Sequence, residues 1–433
     1  MRVFYIFLIL GCFLTACGGD DSNPGTDDAQ TGDESDLSEA GLAVDAGFPA
    51  IKIDAPQVVT LGGPVLNTPK VQPVFFPGFD YGSQITDFTN KLGGSAYWGA
   101  LSEYKVGKIT ALAPITLTQA DAAPSVIYDN QIQDWLKTRF DGSHPEFGNA
   151  PDENTVYALF YPPTTTIYLS NAPAGDGGAP DGGGGFGNAK SCQGFGGYHS
   201  DFVMGSNDVA YAVLPECPTF GSLTGADVST STASHELSEA ATDPFPMTQP
   251  AYTQVDDDHL AWMFFLGGGE VGDMCAQFPE SFYTPTDVGH VVQKNWSNVS
   301  AKAGHDPCQP TGASPAYFNA MPVFTDSVST RGTTTKGIDV PVGQSKTLEI
   351  DLFSDGPVNA PWMLDAKAYT RGGAAPISFT FDKTSGQNGD KAMVTVTSTS
   401  AIQSTSKTPT ATIVITSTLG VRQNVWVGIL GQQ

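Results

Sequence analysis

Apolar residues follow two patterns over residues 51–312, one typical of strands and one of helices, which predicts one mixed α/β domain. Uninterrupted apolar runs indicate buried strands at 72–76 (QPVFF), 155–161 (TVYALFY), 166–169 and 209–214 (VAYAVL). Apolar residues that recur every three or four positions indicate helices at 84–92, 95–104 and 132–140 (IQDWLKTRF). The glycine-rich stretch 175–187 cannot hold regular structure and predicts a flexible loop.

The pattern changes over residues 313–433, where apolar and polar residues alternate in the manner of β-strands. Such strands are expected at 347–353 (TLEIDLF), 392–397 (AMVTVT), 411–416 (ATIVIT) and 424–429 (NVWVGI). Several short strands separated by turn residues predict an all-β, immunoglobulin-like sandwich. This part has no His and no Cys, so we expect a binding or spacer module.

The N-terminus has the pattern of a lipoprotein signal peptide. Residues 3–14 (VFYIFLILGCFL) are almost wholly apolar, but they are too short to span a bilayer, which needs about 20 apolar residues. Residues 14–17 (LTAC) resemble the lipobox of bacterial lipoproteins. This resemblance implies a signal peptide over 1–16 and lipid on Cys17. An ordinary secretory signal with a chance cysteine is the alternative.

Residues 17–50 predict an acidic, disordered tether. Between residues 18 and 50 there are nine Asp and Glu and no Lys or Arg, a composition that opposes a packed core. Gly18 and Gly19 follow Cys17 with no Asp directly after it, which favours the outer membrane by analogy with enteric lipoproteins. The predicted location is outside the cytoplasm, lipid-anchored at the outer membrane or cell surface of a Gram-negative bacterium.

The charge of the chain limits its partners. The formal net charge is −25, about a third of it in the tether, and no basic cluster occurs. Nucleic acid is therefore excluded as an expected partner. The expected partners are a membrane, through the lipid anchor, and an extracellular protein or polysaccharide. The oligomeric state stays open.

Four of the six cysteines are expected to form disulfides, because Cys12 lies in the signal peptide and Cys17 takes the lipid. An even number outside the cytoplasm indicates two disulfides. Three pairings are open, and sequence order favours Cys192–Cys217 and Cys275–Cys308. Zinc ligation by these cysteines is less favoured, since no C-x-x-C pair occurs.

Residues 229–244 (STSTASHELSEAATDP) predict a helix that carries chemistry. His235 and Glu239 are four residues apart and share one face, with Glu236 one step round. Zincins use H-E-x-x-H in this geometry, where two His bind zinc and the Glu activates water. Here the second His is replaced by Glu239. The structural alternative is a surface helix with one partly buried His.

Further ligands are available in two other segments. Residues 267–275 (GGGEVGDMC) contain Glu270 and Asp273, beside a cysteine, and either could supply a third ligand. Residues 196–200 (GGYHS) offer the imidazole of His199 near Cys192. The alternatives are that Asp273 caps a turn and that His199 is a hydrogen-bonded core residue.

Five segments together resemble one known family. They are SCQGFGGYHSDF (191–202), VAYAVLPEC (209–217), HELSEAATDP (235–244), GGEVGDMC (268–275) and VVQKNWSNVSAKAGHDPC (291–308). In this order they resemble the phosphate-induced, exordium-like family, and most closely its bacterial exported members. The resemblance covers residues 70–308. The family pattern falls on His199, His235, Glu236, Glu239, Asp243, Glu270, Asp273 and Cys275.

The resemblance implies a zincin-like site without establishing catalysis, since the plant members are cell-wall proteins with no agreed enzymatic activity. One hypothesis is a zinc-dependent, peptidase-like hydrolase. His235, Glu239 and either Glu270 or Asp273 would bind zinc, and Glu236 would be the general base. Two carboxylate ligands weaken the positive charge that water feels, which predicts slow hydrolysis or a harder cation such as calcium. The other hypothesis is a non-catalytic surface protein that binds glycan or protein, with a structural metal or none.

Overall fold

The computed structural model describes residues 47–170, 189–310, 315–370, 372–403 and 408–433. The predicted signal peptide, Cys17, residues 18–46 of the tether and the glycine-rich loop lie outside these ranges. Ala50 donates a backbone hydrogen bond to Asn388 Oδ1 (3.0 Å), and Asn388 Nδ2 donates one to the Gly47 carbonyl (3.2 Å). These two bonds attach residues 47–50 to the β region, and the predicted domain boundaries stay predictions.

A six-stranded sheet lies at the centre of the α/β region. Its strands are β1 (Lys70–Phe75), β2 (Thr110–Ala111), β3 (Ile115–Thr116), β4 (Thr155–Tyr161), β5 (Tyr198–Met204) and β6 (Asn207–Pro215). The order is β2-β1-β4-β6-β5, with β3 also paired to β1. Only β5, at one edge, pairs antiparallel among these described strands. The buried strands predicted at 72–76, 155–161 and 209–214 are confirmed within a few residues.

Short helices and ribbons surround this sheet. The α-helices are α1 (Gly82–Leu92), α2 (Ala96–Gly99), α3 (Asp129–Thr138), α4 (Ala226–Thr242), α5 (Leu260–Leu266), α6 (Asp273–Ala276) and α7 (Asn298–Ala303). Two-stranded pairs join Val58–Thr60 to Tyr252–Val255, Val126–Tyr128 to Thr166–Tyr168, Thr219–Phe220 to Leu223–Thr224, Phe282–Tyr283 to Val292–Gln293, and Asn295–Trp296 to Cys308–Gln309.

The helix predicted at 95–104 is wrong in type beyond its first turn. Only Ala96–Gly99 is α-helical, and Ala100–Tyr104 winds as a tighter 3₁₀ helix. The segment ends at Lys105, whose φ of 68° is left-handed and cannot continue a helix. The predicted spacing of buried residues is nevertheless kept, since Tyr97, Leu101 and Tyr104 are all buried.

The central sheet separates two hydrophobic cores because side chains alternate along each strand. In β4, Val156, Ala158 and Phe160 face the core that contains α1 and α4. Tyr157, Leu159 and Tyr161 face the second core, which contains α3. Strands covered on both faces must be apolar throughout, which explains the unbroken apolar runs in the sequence.

Helix α4 lies beneath the sheet, against β4, β5 and β6, and is almost wholly buried. Fourteen of its 17 residues are buried, so the alternative of a surface helix is wrong. Small side chains let the backbone approach the sheet closely. The hydroxyls of Ser234, Ser238 and Thr242 donate to carbonyls three or four residues earlier, at 2.7, 2.8 and 3.1 Å. These internal bonds allow a polar sequence to be buried.

The C-terminal region is largely β. Its strands are β7 (Phe318–Pro322), β8 (Asp326–Thr330), β9 (Thr333–Asp339), β10 (Ser345–Ser354), β11 (Trp362–Thr370), β12 (Gly373–Ala374), β13 (Ile377–Phe381), β14 (Ser385–Gly386), β15 (Lys391–Ser398), β16 (Thr410–Leu419) and β17 (Arg422–Gly431). One sheet has the order β7-β10-β15-β13, and the other β8-β9-β17-β16-β11-β12, with β14 on β11. The four predicted strands are confirmed as parts of β10, β15, β16 and β17. The immunoglobulin-like topology stays a prediction.

An aromatic seam joins the two regions. The Trp262 ring on α5 lies 5.8 Å from that of Trp426 on β17 and 5.6 Å from that of Trp296, measured between centroids. All three tryptophans belong to the hydrophobic core that also contains α4. The β region therefore supports the core on which α4 rests.

Two disulfides are present, Cys192–Cys217 and Cys275–Cys308. This is the pairing that sequence order favours, and it is confirmed. Disulfides persist in oxidising compartments, so these bonds indicate a location outside the cytoplasm. None of the helices in the described ranges combines the length and the apolar character that a membrane span requires.

We expect Trp426→Ala to lower the free energy of unfolding by about 3–5 kcal/mol, because it removes a buried aromatic side chain and leaves a cavity in the seam. Urea denaturation followed by tryptophan fluorescence and circular dichroism measures this loss. Val421→Ala is the control, since Val421 is 99% exposed and its loss should change stability by no more than about 0.5 kcal/mol. Equal stability of the two variants would contradict a supporting role for the seam.

Candidate metal centre

Helix α4 supplies three side chains of the site. The Nε2 atom of His235 lies 3.1 Å from Glu239 Oε2, as expected for residues four apart on one helical face. Glu236 lies one position further round. Asp243 follows the last turn and accepts a hydrogen bond from the backbone N–H of Ala251 at 2.7 Å. The predicted helix and its shared face are thus present.

The edge strand β5 brings His199 against α4. His199 Nδ1 lies 3.6 Å from Glu236 Oε2 and 3.7 Å from Glu239 Oε2. Its Nε2 lies 3.4 Å from Glu270 Oε1. His199 Nε2 makes no hydrogen bond within the described part of the chain, and the alternative of a buried histidine that only pairs with carboxylates stays open. His199 faces three carboxylates.

The turn that leads into α6 places Glu270 and Asp273. The backbone N–H of Asp273 donates to Glu239 Oε1 at 3.0 Å, which ties this turn to α4. Asp273 Oδ1 lies 3.6 Å from His235 Nε2, while its Oδ2 accepts the backbone N–H of Glu270 at 3.3 Å. Asp273 therefore caps the turn with one oxygen and presents the other to His235. The capping interpretation of this residue is confirmed, and its role as a metal ligand stays a prediction.

Gln293 fixes the orientation of His235, and sequence reasoning missed it. Gln293 Nε2 donates to the Gly272 carbonyl at 2.7 Å, so its Oε1 faces His235 Nδ1 at 3.1 Å. The imidazole must then carry its proton on Nδ1 to donate this bond, which leaves Nε2 facing Glu239 and Asp273. Partners of this kind commonly orient metal-binding histidines. The only available signal was the position of Gln293 within the motif VVQKNW.

Two glycines allow this close packing. A Cβ at Gly272 would lie 2.7 Å from His235 Nδ1 and 2.8 Å from Glu239 Oε1. A Cβ at Gly197 would lie 2.6 Å from Thr232 Cγ2 and 3.0 Å from Glu236 Oε1. Both positions require the absence of a side chain, because heavy atoms do not approach a Cβ this closely.

The six predicted site residues converge in a buried cluster, and none is more than 8% exposed. Burial raises the pKa values of Glu270, to about 8, and of Asp273, well above its usual range. Burial also opposes the charge on His235 and His199, but the surrounding carboxylates outweigh it and raise both pKa values, that of His235 to about 9. In Glu239 burial raises the pKa, but the charges of His235 and His199 and the hydrogen bonds from His235 and Asp273 together outweigh it and lower the pKa.

Several atoms of the cluster lack the partners that burial demands. His199 Nε2, Glu270 Oε1 and Asp273 Oδ1 are buried and make no hydrogen bonds within the described ranges. Two groups of three residues, His235–Glu239–Asp273 and His199–Glu239–Glu270, each present ligand atoms within 4.8 Å of one another. Imidazole and carboxylate donors with unused lone pairs fit a divalent cation. The cluster is therefore a buried His/Glu/Asp site compatible with a metal ion.

A narrow cleft reaches the cluster beside Glu236. It has a volume of about 30 Å³, enough for one or two water molecules, and is lined by His235, Glu236 and Gln293 together with Gly196, Gly197, Phe220, Ser231, Thr232 and Phe282. Burial raises the pKa of Glu236. Glu236 thus combines access to a water-sized space with increased basicity.

Removing metal ions should make the protein less stable as the pH rises from about 5 to 9. The raised pKa values of Glu270 (4.5 to about 8), His235 (6.5 to about 9) and Asp273 mean that the folded, metal-free state binds more protons than the unfolded state. The stability that this provides is present at low pH and is lost as the pH rises through the folded pKa values. Glu239, with a lowered pKa, acts in the opposite sense only below about pH 4.5.

The melting temperature of chelator-treated protein at pH 5, 7 and 9 measures this dependence. Added Zn²⁺ should reverse the trend, because a cation needs deprotonated ligands and stabilises the folded state that binds it. A melting temperature that rises with pH in the presence of the chelator would contradict the assignment of these shifts.

We expect Gly272→Ala to lower the free energy of unfolding by about 1–3 kcal/mol and to weaken the binding of a divalent cation, probed with Zn²⁺, about 10- to 100-fold, because the new methyl group displaces His235 and Glu239. Thermal unfolding and zinc titration measure both effects. Gly99→Ala is the matched control, since no atom lies within 4 Å of a Cβ at that position and its φ is −58°. If Gly272→Ala binds Zn²⁺ as tightly as Gly99→Ala does, the close packing at Gly272 is contradicted.

Comparisons with known proteins add little to this geometry. No family model and no curated protein matches the chain. The E. coli chaperone DraB is 9% identical, over 26% of this chain and 54% of that chain, with a TM-score of 0.20. Domains 4 and 5 of the S-layer protein SbsC are 18% identical over 25% and 53%, with a TM-score of 0.16. A family 123 glycoside hydrolase from Clostridium perfringens is 10% identical over 27% and 27%, with a TM-score of 0.18. The chain spans about half of the first two structures and a quarter of the third, and these TM-scores support no inference about function.

Proposed function

We propose that this protein is a metal-dependent, peptidase-like hydrolase that acts outside the cytoplasm. The observation that carries the proposal is the convergence of His235, Glu239 and Asp273 in one buried group, with Glu236 beside it at the cleft. His235 and Asp273 are 38 positions apart in the sequence, so the fold is what brings them together.

Each of these residues has a role. His235, Glu239 and Asp273 would hold the cation, and Gln293 keeps the Nε2 atom of His235 directed at them. A cation bound there supplies Lewis-acid polarisation of a carbonyl group. Glu236 accepts a proton from water, a role that its raised pKa favours because a more basic carboxylate holds the proton better.

The end of β5 at the cleft is where a substrate would have to approach. In the described part of the central sheet β5 pairs only with β6, but Tyr198–Phe202 are buried, so most of this edge is closed to an added strand. Gly196 and Gly197, just before β5, line the cleft at Glu236. A peptide carbonyl that reaches this cleft would lie beside the general base.

The finer assignments of fold and family belong to the same proposal. A buried H-E-x-x-E helix under a mixed sheet with an antiparallel edge strand supports a zincin-like domain. The meeting of His199, His235 and Asp273 from separate motifs supports the relation to the exordium-like family. The immunoglobulin-like sandwich is proposed as a module that binds a ligand or acts as a spacer. Lipid on Cys17 would hold these domains at the membrane, near extracellular proteins and polysaccharides.

Zinc is the proposed cation, and calcium is its competitor. Zinc accepts His and carboxylate ligands in small buried sites. Calcium prefers six to eight oxygen ligands. The cluster has more carboxylates than imidazoles, which is an argument for calcium. The buried imidazoles favour zinc, because nitrogen is a poor ligand for calcium.

A second candidate function is non-catalytic binding with a structural metal. The observation that favours it is the size of the cleft, about 30 Å³, which admits water but not a substrate side chain. In this case the metal would stabilise the turn at Glu270 and Asp273, and the surfaces that bind glycan or protein would lie elsewhere. The two functions predict different effects of replacing Glu236, because only the hydrolase would lose cleavage activity.

We expect Glu236→Gln to lower the rate of cleavage of an unstructured protein about 10²- to 10⁴-fold while zinc content stays unchanged, because only proton transfer is removed. Casein cleavage and elemental analysis of the purified protein measure the two quantities. Glu349→Gln, a substitution on the surface of the β region, is the control and should cleave at the wild-type rate. A folded wild type that holds zinc but does not cleave supports the binding function, and a folded wild type that holds no metal refutes both metal roles.

A further inference from the structure

We propose that the cluster binds two divalent cations, with Glu239 as the ligand that both share. The first lies in the group His235–Glu239–Asp273, and the second in the group His199–Glu239–Glu270. The inference rests on the proposed function and deepens it, since it turns a single-ion centre into a paired one.

The carboxylate of Glu239 is placed to serve both ions. Its Oε2 atom lies 3.1 Å from His235 Nε2 and 3.7 Å from His199 Nδ1, and a single ring nitrogen of His199 lies within 4.8 Å of carboxylate oxygens on both Glu239 and Glu270. The two imidazoles come from different elements, α4 and β5, and each has a further carboxylate of its own. His235 Nε2 lies 3.6 Å from Asp273 Oδ1, and His199 Nε2 lies 3.4 Å from Glu270 Oε1. Two imidazole–carboxylate pairs thus flank one shared carboxylate.

One cation does not satisfy the buried polar atoms. A cation held by His235, Glu239 and Asp273 gives Asp273 Oδ1 a partner. It leaves His199 Nε2 and Glu270 Oε1 buried without a hydrogen bond from any described residue. Buried polar groups are almost always paired, since each unpaired one is strongly unfavourable. A second cation provides the partner for both atoms.

A paired centre also fits the proposed chemistry. Two-metal sites clamp both the attacking and the leaving atom of a displacement, and they occur in aminopeptidases as well as in phosphatases and nucleases. A carboxylate that bridges the ions is a usual feature of such chemistry, because it offsets charge between them. The bridging position explains why Glu239 replaces the neutral histidine of H-E-x-x-H, since imidazole cannot bridge two cations in this way.

The number of ions per chain tests the inference. The purified whole protein is stripped with a chelator, equilibrated with Zn²⁺, desalted and analysed for metal and protein. We expect about two Zn²⁺ per wild-type chain and about one for His199→Gln or Glu270→Gln. His290→Gln is the matched control, because His290 bonds to Asp87 on the surface, at 2.8 Å, and this variant should keep two ions.

Each outcome decides between the proposals. One Zn²⁺ per wild-type chain, or two retained by His199→Gln, overturns the paired centre and leaves the proposed hydrolase with a single ion. No bound metal overturns both. If the variants do not fold, electron paramagnetic resonance of the wild type loaded with Mn²⁺ decides instead. A spin-coupled signal supports two neighbouring ions, and the signal of isolated Mn²⁺ overturns the paired centre.

Discussion

The buried carboxylate of Glu239 is the group on which the site depends. It contacts His235 on its own helix, His199 on the edge strand and the backbone N–H of Asp273 in the turn before α6. Three elements that are distant in sequence are thus held together by one side chain. Burial opposes its charge, and the nearby imidazoles keep it ionised. Without that charge the strand and the turn would lose their common partner.

The alternation of side chains along β5 decides what faces this carboxylate. His199 faces α4, whereas its neighbour Tyr198 faces the opposite core, where its hydroxyl donates to Asp129 at 2.7 Å. A shift of β5 by one residue would exchange the two and place a phenol against Glu239. Strand β6, which pairs with all seven residues of β5, prevents that shift. The geometry of the site is therefore a consequence of strand register.

Sequence reasoning reached most of the site because its signals are local. The four-residue spacing of His235 and Glu239 predicts a shared helical face, and the apolar runs predict the strands of the central sheet. It failed where the cause is tertiary. Gln293 has no motif of its own, and Gly272 matters only because two side chains approach it. The burial of α4 could not be predicted either, since a helix rich in Ser and Thr has the composition of an exposed helix. Its hydroxyls are satisfied within the helix, which composition does not reveal.

The Cys275–Cys308 disulfide has a consequence for the order of maturation. It closes a loop of 33 residues that includes Gln293, and it begins two residues after Asp273. The same loop is held to the turn by the bond from the Trp296 N–H to the Val271 carbonyl, at 2.8 Å. In a reducing cytoplasm this covalent constraint is missing, and the ligands around His235 are held only by weak bonds. For the proposed metal centre, the turn that carries Asp273 is therefore covalently fixed only after the chain reaches an oxidising compartment.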